Sequence, residues 1–471
     1  MTNVFYLIHF FLCISIFCLV YGLSYSLSKK NYYIIRNNLY IIIPLYCILC
    51  WALYFAIFVN PYLGGVYYDF TNFYYCGQRV LEKPEALYDF KYSSNPDVSY
   101  GYKYFPNFAV IIGIPLSLIP SLLLAYRIWY IINIILAMIL LLLFNQILIL
   151  LNLKRKTLRF LFLFSISNGF FILRQFRNNQ MKFFLGVIIL FILKQEIRFR
   201  MKEFEKDFKF YLKTYNLFIL VIGTFPPLLF FFLIYIFQDI PKSELFKKAN
   251  LKKYSIIIIS FIAQNFLFIL YPSLIRSYYK VVRNDTNRKD LRLNHFYLQF
   301  IEDFIIDIPK LYENYISTTL NIIWYIIVAL LILIRKLRIE EKFGLLSISI
   351  ILLNYVAYRI MVILLPLTSL LFIPYLLQDK NGIEFIKRNK VIILGLICIL
   401  CINLFPYSDS MGYPYFDGIT LAHLILVITL GICIVYLYKK KYERKKNPEE
   451  DNLKKTEFLK KNGADTKEDE T

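Results

Sequence analysis

Residues 129–151 read WYIINIILAMILLLLFNQILILL, an uncharged stretch that is long enough to cross a bilayer as one helix. A basic cluster of Lys154, Arg155, Lys156 and Arg159 follows it directly. Similar apolar blocks recur along the chain, and short basic stretches separate them. Hydrophobic residues make up 58% and charged residues 18% of the 471 residues, against about 45–50% and about 25% in soluble proteins. We therefore predict an all-α, polytopic membrane protein with about 11–13 transmembrane helices.

The net charge of +22 would suggest nucleic-acid binding in a soluble protein. In this chain most Lys and Arg residues lie in the predicted loops and the tail, where orientation in a membrane explains them. Nucleic acid is therefore not an expected partner, whereas membrane lipids are.

The positive-inside rule orients the predicted spans. No basic residue precedes Val4–Tyr25, so we interpret it as a retained helix rather than a cleaved signal peptide. Leu39–Val59 then runs outward, Pro-interrupted Phe108–Leu118 is re-entrant or interfacial, and Trp129–Leu151 runs inward. The later predicted spans are Leu161–Leu173, Phe183–Leu193, Leu217–Phe237, Ile256–Tyr271, Leu320–Ile334, a hairpin over Leu345–Leu377, Val391–Phe405 and Leu421–Tyr438.

This topology gives a membrane-embedded domain over residues 1–438 and a charged, solvated cytoplasmic tail over residues 439–471. The predicted extracytoplasmic loops cover about residues 60–124, 174–180, 273–317 and 406–418. Leu217–Phe237 is either one span or a short hairpin bent at residues 224–227. We prefer the hairpin, because it leaves the lysines after residue 241 inside.

No metal or other cofactor is expected. The pairs Cys47 with Cys50 and Cys398 with Cys401 have a spacing typical of zinc sites in soluble proteins, but they lie in apolar runs where cysteine packs as a small apolar residue. The chain has three histidines, which are too dispersed for a zinc site. Cys76 is the one cysteine in a polar loop.

Most of the polar residues that could have a function lie in the first external loop. Asp69 lies just beyond a membrane span among aromatic residues, and the residues after it have helical spacing. This spacing predicts an amphipathic helix on the bilayer surface, with Thr71, Asn72 and Gln78 toward water. Partial desolvation would raise the pKa of Asp69 and suit it to be a general base. Asp69 could instead cap the helix, and the two roles are compatible.

Four strings in and after this loop resemble a known family. They are residues 68–89, Tyr102-Lys103-Tyr104-Phe105-Pro106-Asn107-Phe108-Ala109, Pro115-Leu116-Ser117-Leu118-Ile119-Pro120 and Tyr126-Arg127-Ile128-Trp129. Over residues 67–133 the chain is similar to GT-C glycosyltransferases of family 87, the polyprenol-phosphate-mannose-dependent alpha-1,2-mannosyltransferases. The resemblance implies an extracytoplasmic active site, a polyprenyl-phosphate sugar donor and Asp69 as catalytic base.

Such a transfer also needs groups that stabilise the departing phosphate. The candidates are Arg174, Arg177, Lys103, Arg359 and Gln180. Arg359 stands where many relatives have His, and it could equally reach lipid headgroups. Gln180 could bind the donor or cap the membrane interface.

Two further departures leave the sugar open. Asn179 and Lys182 stand where relatives have Gly and Asn, and Thr224 and Phe225 stand where relatives often have a Lys before the Pro.

The acceptor candidates are Tyr68, Tyr74, Tyr104 and His295. The second long loop, with Tyr278 and Tyr279, could form a platform for a sugar, although interfacial aromatic residues give the same pattern. We expect a hexosyltransferase that acts on a glycolipid or glycan. The alternative is a lipid-carrier or polysaccharide transporter, which would carry more charge inside its spans.

Overall fold

The structure is a computed structural model. It describes residues 29–56, 68–89, 102, 104–168, 172, 175–176, 179–201, 203, 207–224, 228–237, 248–286, 323, 326, 330, 337–353 and 361–372. Within these ranges most residues are helical and none lies in a β-strand, which confirms the all-α class for the described part of the chain. The predicted spans Val4–Tyr25, Val391–Phe405 and Leu421–Tyr438 and the tail lie outside it.

Thirteen helices are labelled in chain order. They are α1 Lys29–Tyr54, α2 Tyr68–Glu82, α3 Pro106–Ser117, α4 Leu122–Leu150, α5 Lys156–Ser167, α6 Lys182–Arg200, α7 Phe208–Thr224, α8 Leu229–Phe237, α9 Lys248–Gln264, α10 Phe266–Leu270, α11 Ser273–Thr286, α12 Ile339–Leu353 and α13 Met361–Ser369. Helix α3 is irregular, with a π-helical turn at Ala109–Gly113 between short α-helical pieces.

Helix α4 contains residues 129–150 of the apolar stretch, but it begins earlier, at Leu122. The earlier start has a local cause, because the Ser121 side chain accepts a hydrogen bond from the Leu124 backbone nitrogen at 3.1 Å and caps the helix. In the described part of the chain, α4 alone is long and apolar enough to cross a membrane. Shorter apolar helices occur at Asn38–Tyr54, Pro106–Ser117, Leu158–Ser167 and Lys253–Gln264. The number of crossings stays a prediction.

Three pairs of neighbouring helices run parallel, because in each pair the contacts advance in the same order along both helices. The contacts are Tyr40–Arg159 and Trp51–Asn168 between α1 and α5, Leu140–Gly186 and Gln146–Lys194 between α4 and α6, and Tyr211–Lys253 and Asn216–Gln264 between α7 and α9. Parallel neighbours require the chain to return between them, and each pair is separated in sequence by at least one helix.

In each of the two predicted hairpins, the helices on either side of the predicted turn pack against each other. The chain folds back between α7 and α8, because the ring centroids of Phe218 and Phe232 lie 5.1 Å apart, whereas a continuous helix would separate these residues by about 21 Å. Helices α12 and α13 also pack on each other, and a methyl group on Gly344 would lie 3.0 Å from the Leu367 carbonyl oxygen.

The buried apolar residues form two clusters. The bundle core joins α1, α4–α9, α12 and α13 around residues such as Trp51, Leu140, Phe144, Phe183, Phe218, Phe231, Phe343 and Ile363. The cap cluster consists of Phe70, Phe73, Tyr74, Cys76, Val80, Leu87, Tyr88, Tyr102, Phe108, Ala109, Leu116, Ala125, Tyr126, Trp129, Met181, Leu267, Leu274 and Val281. Helix α4 runs through both clusters, so its first turns mark the boundary between them.

The end of the bundle opposite the cap cluster is basic. Lys154 and Arg155 are exposed just after α4. Arg200, at the end of α6, donates two hydrogen bonds to Glu340 at 2.8 and 3.1 Å. Glu340 is fully buried, and Arg338 also contacts it at 3.4 Å. These ion pairs join α6 to the first turn of α12.

Large apolar side chains also point outward along the bundle. Ile131 and Ile135 on α4 are 57% and 51% exposed, and Ile258 and Ile259 on α9 are 59% and 63% exposed. A water-soluble surface rarely carries such residues in rows.

Candidate functional site

The helix that carries Asp69 begins slightly earlier than predicted. Helix α2 spans Tyr68–Glu82, so Asp69 lies in its first turn and not in the N-cap position before it. The capping interpretation is therefore wrong. Position 69 lies one turn before Phe73 on the same face of α2. The side chains of Tyr68 and Asp69 lie outside the described part of the structure.

Helix α2 is covered by protein on nearly all sides, which corrects the prediction that Thr71 faces water. Phe70 and Cys76 are fully buried, and Thr71, predicted to face water, is 6% exposed. Asn72 and Gln78 are half-buried. The burial of α2 also removes Cys76 from the polar loop in which the sequence seemed to place it, and burial raises the pKa of its thiol.

A close helix crossing holds α2 against α3. A methyl group on Gly77 would overlap the Gly113 carbonyl group, and one on Gly113 would lie 2.7 Å from the Cys76 sulfur. The missing side chains let the two backbones approach, as glycine permits. This crossing lies two turns beyond Asp69. It fixes the position of the first turn of α2 within the cap cluster.

The Leu87-Tyr88-Asp89 string has a structural role. Arg79, at the end of α2, donates to the Leu87 carbonyl oxygen at 3.3 Å, and the Tyr88 hydroxyl donates to the Tyr104 carbonyl oxygen at 2.8 Å. Burial lowers the pKa of Arg79, although nearby Asp89 opposes this shift, and burial raises the pKa of Tyr88. The string therefore ties the end of α2 to the segment that carries Tyr104.

Tyr104 lies beside the first turns of α2. Its ring centroid is 5.9 Å from that of Phe73 and 5.5 Å from that of Phe108. The Lys182 ammonium nitrogen lies 5.6 Å from the centroid of the same ring, within the range of a cation–π contact. Tyr104 thus contacts both Phe73, one turn after position 69, and Lys182.

The segment that contains Gln180 is held by buried amides. Asn133 on α4 donates to Asn179 Oδ1 at 2.8 Å, and Asn179 donates to the Tyr126 carbonyl oxygen at 3.1 Å. Asn179 has a φ of 47°, a left-handed conformation that Asn tolerates better than most residues. Tyr126 also packs edge-on against Phe70 at 5.5 Å between centroids. Tyr126 therefore contacts both Asn179 and the first turn of α2.

We call the buried polar residues at this boundary between the two clusters the polar layer. Its members are Asn107, Asn133, Asn179, Gln180 and Lys182, each of them 8% exposed or less.

Asn107 links the polar layer to the end of α7. Its amide nitrogen donates to Gln264 Oε1 at 3.2 Å and lies 3.4 Å from the Ile219 carbonyl oxygen. The neighbouring Phe105 nitrogen donates to the Gly223 carbonyl oxygen at 2.8 Å. The end of α7 therefore lies at the same level as Tyr104.

The other predicted site residues have different outcomes. Tyr74 is 5% exposed, and its hydroxyl donates to the Ile119 carbonyl oxygen at 2.9 Å, so it braces α2 rather than offering a free ring face. Gln180, at 8% exposed, stays in the candidate site. The remaining predicted residues Lys103, Arg174, Arg177, His295 and Arg359 lie outside the described part of the structure.

The second long loop begins as a helix, α11. Its Tyr278 packs inward on Tyr88, Phe105 and Phe268 at centroid distances of 5.5, 5.1 and 6.2 Å. Burial raises the pKa of Tyr278 to about 12. Tyr279 on the opposite side is 64% exposed. Of the two tyrosines, only Tyr279 offers a free ring to an acceptor.

Sequence reasoning missed the roles of Lys182 and Asn133. Lys182 was visible as a departure from the related family, and Asn133 as a polar residue inside an apolar run. The burial and the contacts of these two residues identify them as part of the candidate site. Both depend on the packing of α4 against α6.

No protein-family model matches the chain, and no curated protein matches it.

Proposed function

We propose that the chain is a polytopic membrane hexosyltransferase of the GT-C type. It would move a hexose, for which the motif resemblance implies mannose, from a polyprenyl-phosphate donor to an extracytoplasmic glycolipid or glycan, with inversion. The observation that carries the proposal is that the first turns of α2 pack against Tyr126 and Tyr104, which also contact Asn179 and Lys182 of the polar layer. An acid, a buried amine and buried amides in one place are the groups that this transfer uses.

The outward-facing apolar residues support a membrane location. Rows of isoleucines on α4 and α9 are stable against lipid and costly against water. The parallel pairs of helices also support alternating crossings, because each pair is made of spans that the topology prediction runs in the same direction. The basic end, with Lys154, Arg155 and Arg200, matches a cytoplasmic face. The cap cluster would then be extracytoplasmic.

The proposed reaction is a single displacement at the anomeric carbon. The Asp69 carboxylate takes the proton of an acceptor hydroxyl, and the acceptor oxygen attacks that carbon from the face opposite the lipid phosphate. The bond between the carbon and the phosphate oxygen breaks, and the oxygen keeps the electron pair. The products are the glycoside and the polyprenyl phosphate. The residues of the polar layer stabilise the charge on the leaving phosphate.

A second candidate is a transporter of a lipid carrier or polysaccharide. It is favoured by Glu196 on α6, which is 4% exposed and accepts a hydrogen bond from the Tyr235 hydroxyl at 2.6 Å. Glu196 lies three residues beyond the predicted span Phe183–Leu193, and a buried carboxyl group in a membrane helix is typical of proton-coupled transport. Among the described residues of the bundle core, Glu196 and Tyr235 form one such pair. The buried polar groups near the cap cluster are more numerous, so we rank the enzyme above the transporter.

The test is sugar transfer by the purified full chain in proteoliposomes supplied with radiolabelled polyprenyl-phosphate mannose and a membrane glycolipid extract. The wild type should release labelled product, and Asp69→Asn should lose about 100-fold or more in rate at equal abundance and thermal stability. Glu85→Gln, which removes an exposed carboxylate from the same loop, is the matched control and should keep the wild-type rate. Undiminished transfer by Asp69→Asn rejects Asp69 as the base. If the wild type moves lipid or glycan across the membrane without transferring sugar, and Glu196→Gln loses this movement, the transporter is favoured.

A further inference from the structure

We infer that α11 lies in the extracytoplasmic membrane interface and binds anionic phospholipid headgroups there. The inference uses the proposed membrane location but does not need the transfer reaction, because a transporter with the same fold would have the same surface. It rests on the exposed residues of α9, α10 and α11 and on the charge of α11.

Exposed apolar residues follow the chain from α9 to α11. On α9 and α10 they are Ile258, Ile259, Ile262, Ile269 and Leu270. On α11, Ile275 and Tyr279 are 55% and 64% exposed. The predicted span Ile256–Tyr271 contains the first part of this run. In the proposed orientation the run therefore begins against hydrocarbon and ends just beyond the outer end of the span.

The opposite side of α11 is fixed against the cap cluster. Leu274 and Val281 are buried members of that cluster, and Tyr278 lies between them with its ring centroid 5.1 Å from that of Phe105. Residues 274, 278 and 281 share one face of a helix. The protein alone therefore holds α11 in place, at the end of the molecule that we place outside.

The outward side of α11 has an apolar and a basic flank. At about 100° per residue, Ile275 and Tyr279 lie together on one flank, and Arg276 and Lys280 lie together on the next. Arg276 and Lys280 are exposed, and neither forms an ion pair with a described residue. The first turn of α11 contains no acidic residue. Such a helix suits the boundary between acyl chains and headgroups.

The charge of α11 favours a lipid headgroup over two other occupants. A neutral sugar could stack on Tyr279, but it offers no counter-charge to Arg276 and Lys280. A second copy packed through the same surface would bring like charges together. An anionic headgroup supplies the counter-charge, and tyrosine is enriched at the headgroup level of membrane proteins.

The experiment measures lipid contact at α11 in the full chain, reconstituted in nanodiscs. A bimane fluorophore is attached to Tyr279→Cys, and the signal of the wild-type chain treated with the same reagent is subtracted. The quenchers are iodide in the water and two lipids, phosphatidylcholine and phosphatidylglycerol, each with a nitroxide on an acyl chain near the headgroup. The lipids should quench the label strongly and iodide weakly.

Two further label positions support the measurement. Ile275→Cys lies on the same flank and replaces Tyr279→Cys if that variant does not fold. Ile258→Cys is the positive control for lipid contact, because it lies about 9 Å before the end of α9 at Gln264. A nitroxide deep in the acyl chain should quench it better than one near the headgroup.

The double variant Arg276→Gln/Lys280→Gln tests the charge. Before this change, phosphatidylglycerol should be enriched at the label by about fivefold over phosphatidylcholine at equal mole fraction, measured as the ratio of quenching constants. The double variant should lose most of this enrichment. Lys154→Gln/Lys209→Gln is the matched control, because it removes two exposed lysines, one after α4 and one at the start of α7. It should keep the enrichment.

Three results would overturn the inference. Strong quenching by iodide and none by lipid would place α11 in water. Protection from both would show that protein covers this surface, either another segment of the chain or a second copy. Equal quenching by the two lipids, or full enrichment in Arg276→Gln/Lys280→Gln, would reject headgroup binding by these residues. None of these results bears on sugar transfer, which Asp69→Asn tests separately.

Discussion

Replacing Gly77 by alanine should destabilise the protein strongly, because the new methyl group has no space. It would overlap the Gly113 carbonyl group and lie 2.7 Å from the Ile114 nitrogen, where about 3.4 Å or more is needed between such atoms. All three obstructing atoms belong to the backbone, so no side-chain rotation relieves the overlap. Helices α2 and α3 must separate, and we expect a loss at or above the upper end of the about 1–3 kcal/mol range for overpacking.

The assay is the melting temperature of the detergent-solubilised protein, followed by size-exclusion chromatography after heating. Gly186→Ala is the control. Its methyl group would lie 2.6 Å from the end of the flexible Leu140 side chain, which can move, so we expect a smaller loss of stability. If Gly77→Ala melts at the wild-type temperature, or no lower than Gly186→Ala, the close crossing of α2 and α3 is wrong. The same crossing positions the Asp69 turn, so Gly77→Ala should also lower the transfer rate of the protein that remains folded.

The remaining predictions concern the two ends of the molecule. Tyr88→Phe should lower the free energy of unfolding by about 1 kcal/mol, measured as a lower melting temperature, because a buried backbone carbonyl loses its donor; an unchanged melting temperature contradicts this. Arg200→Gln should destabilise the protein by leaving buried Glu340 short of positive charge, and Glu340→Gln in the same chain should recover part of the loss, whereas additive losses would reject the coupling. The raised pKa of Tyr278, about 12 against an ordinary value near 10, contributes stability that is complete below pH 10 and is lost as the pH rises toward 12, so Tyr278→Phe should flatten the pH dependence of melting in this window. A cysteine at exposed Glu85 should react with an impermeant maleimide on intact cells, and reaction only after lysis would invert the proposed orientation.

The sequence was sufficient for the features that depend on local chemistry. The uncharged run at residues 129–151 predicted a helix, and the Gly and Pro residues near Thr224 predicted the bend between α7 and α8. Both signals act within a few residues, since helix formation and turn formation are local.

The candidate site depended on contacts that local patterns do not contain. The spacing of Phe70, Phe73 and Thr71 predicted a helix correctly, but it could not reveal that Thr71, on the polar face of α2, is buried as well. An amphipathic pattern identifies the apolar face and says nothing about what covers the other face. For the same reason Lys182 was first only an unusual residue in a family motif, and its burial became visible with the packing of α6 on α4.

Different interactions stabilise the two ends of the molecule. Aromatic rings, hydroxyl groups and close backbone contacts hold the cap cluster, whereas Arg200, Arg338 and Glu340 hold the opposite end by charge. Dissolved ions weaken attraction between partly exposed charges and leave ring packing almost unaffected. In the proposed orientation, the cap cluster faces the surroundings, where the salt concentration changes, and ionic strength does not weaken its packing. The salt-sensitive ion pairs lie in the cytosol, where the salt concentration is regulated.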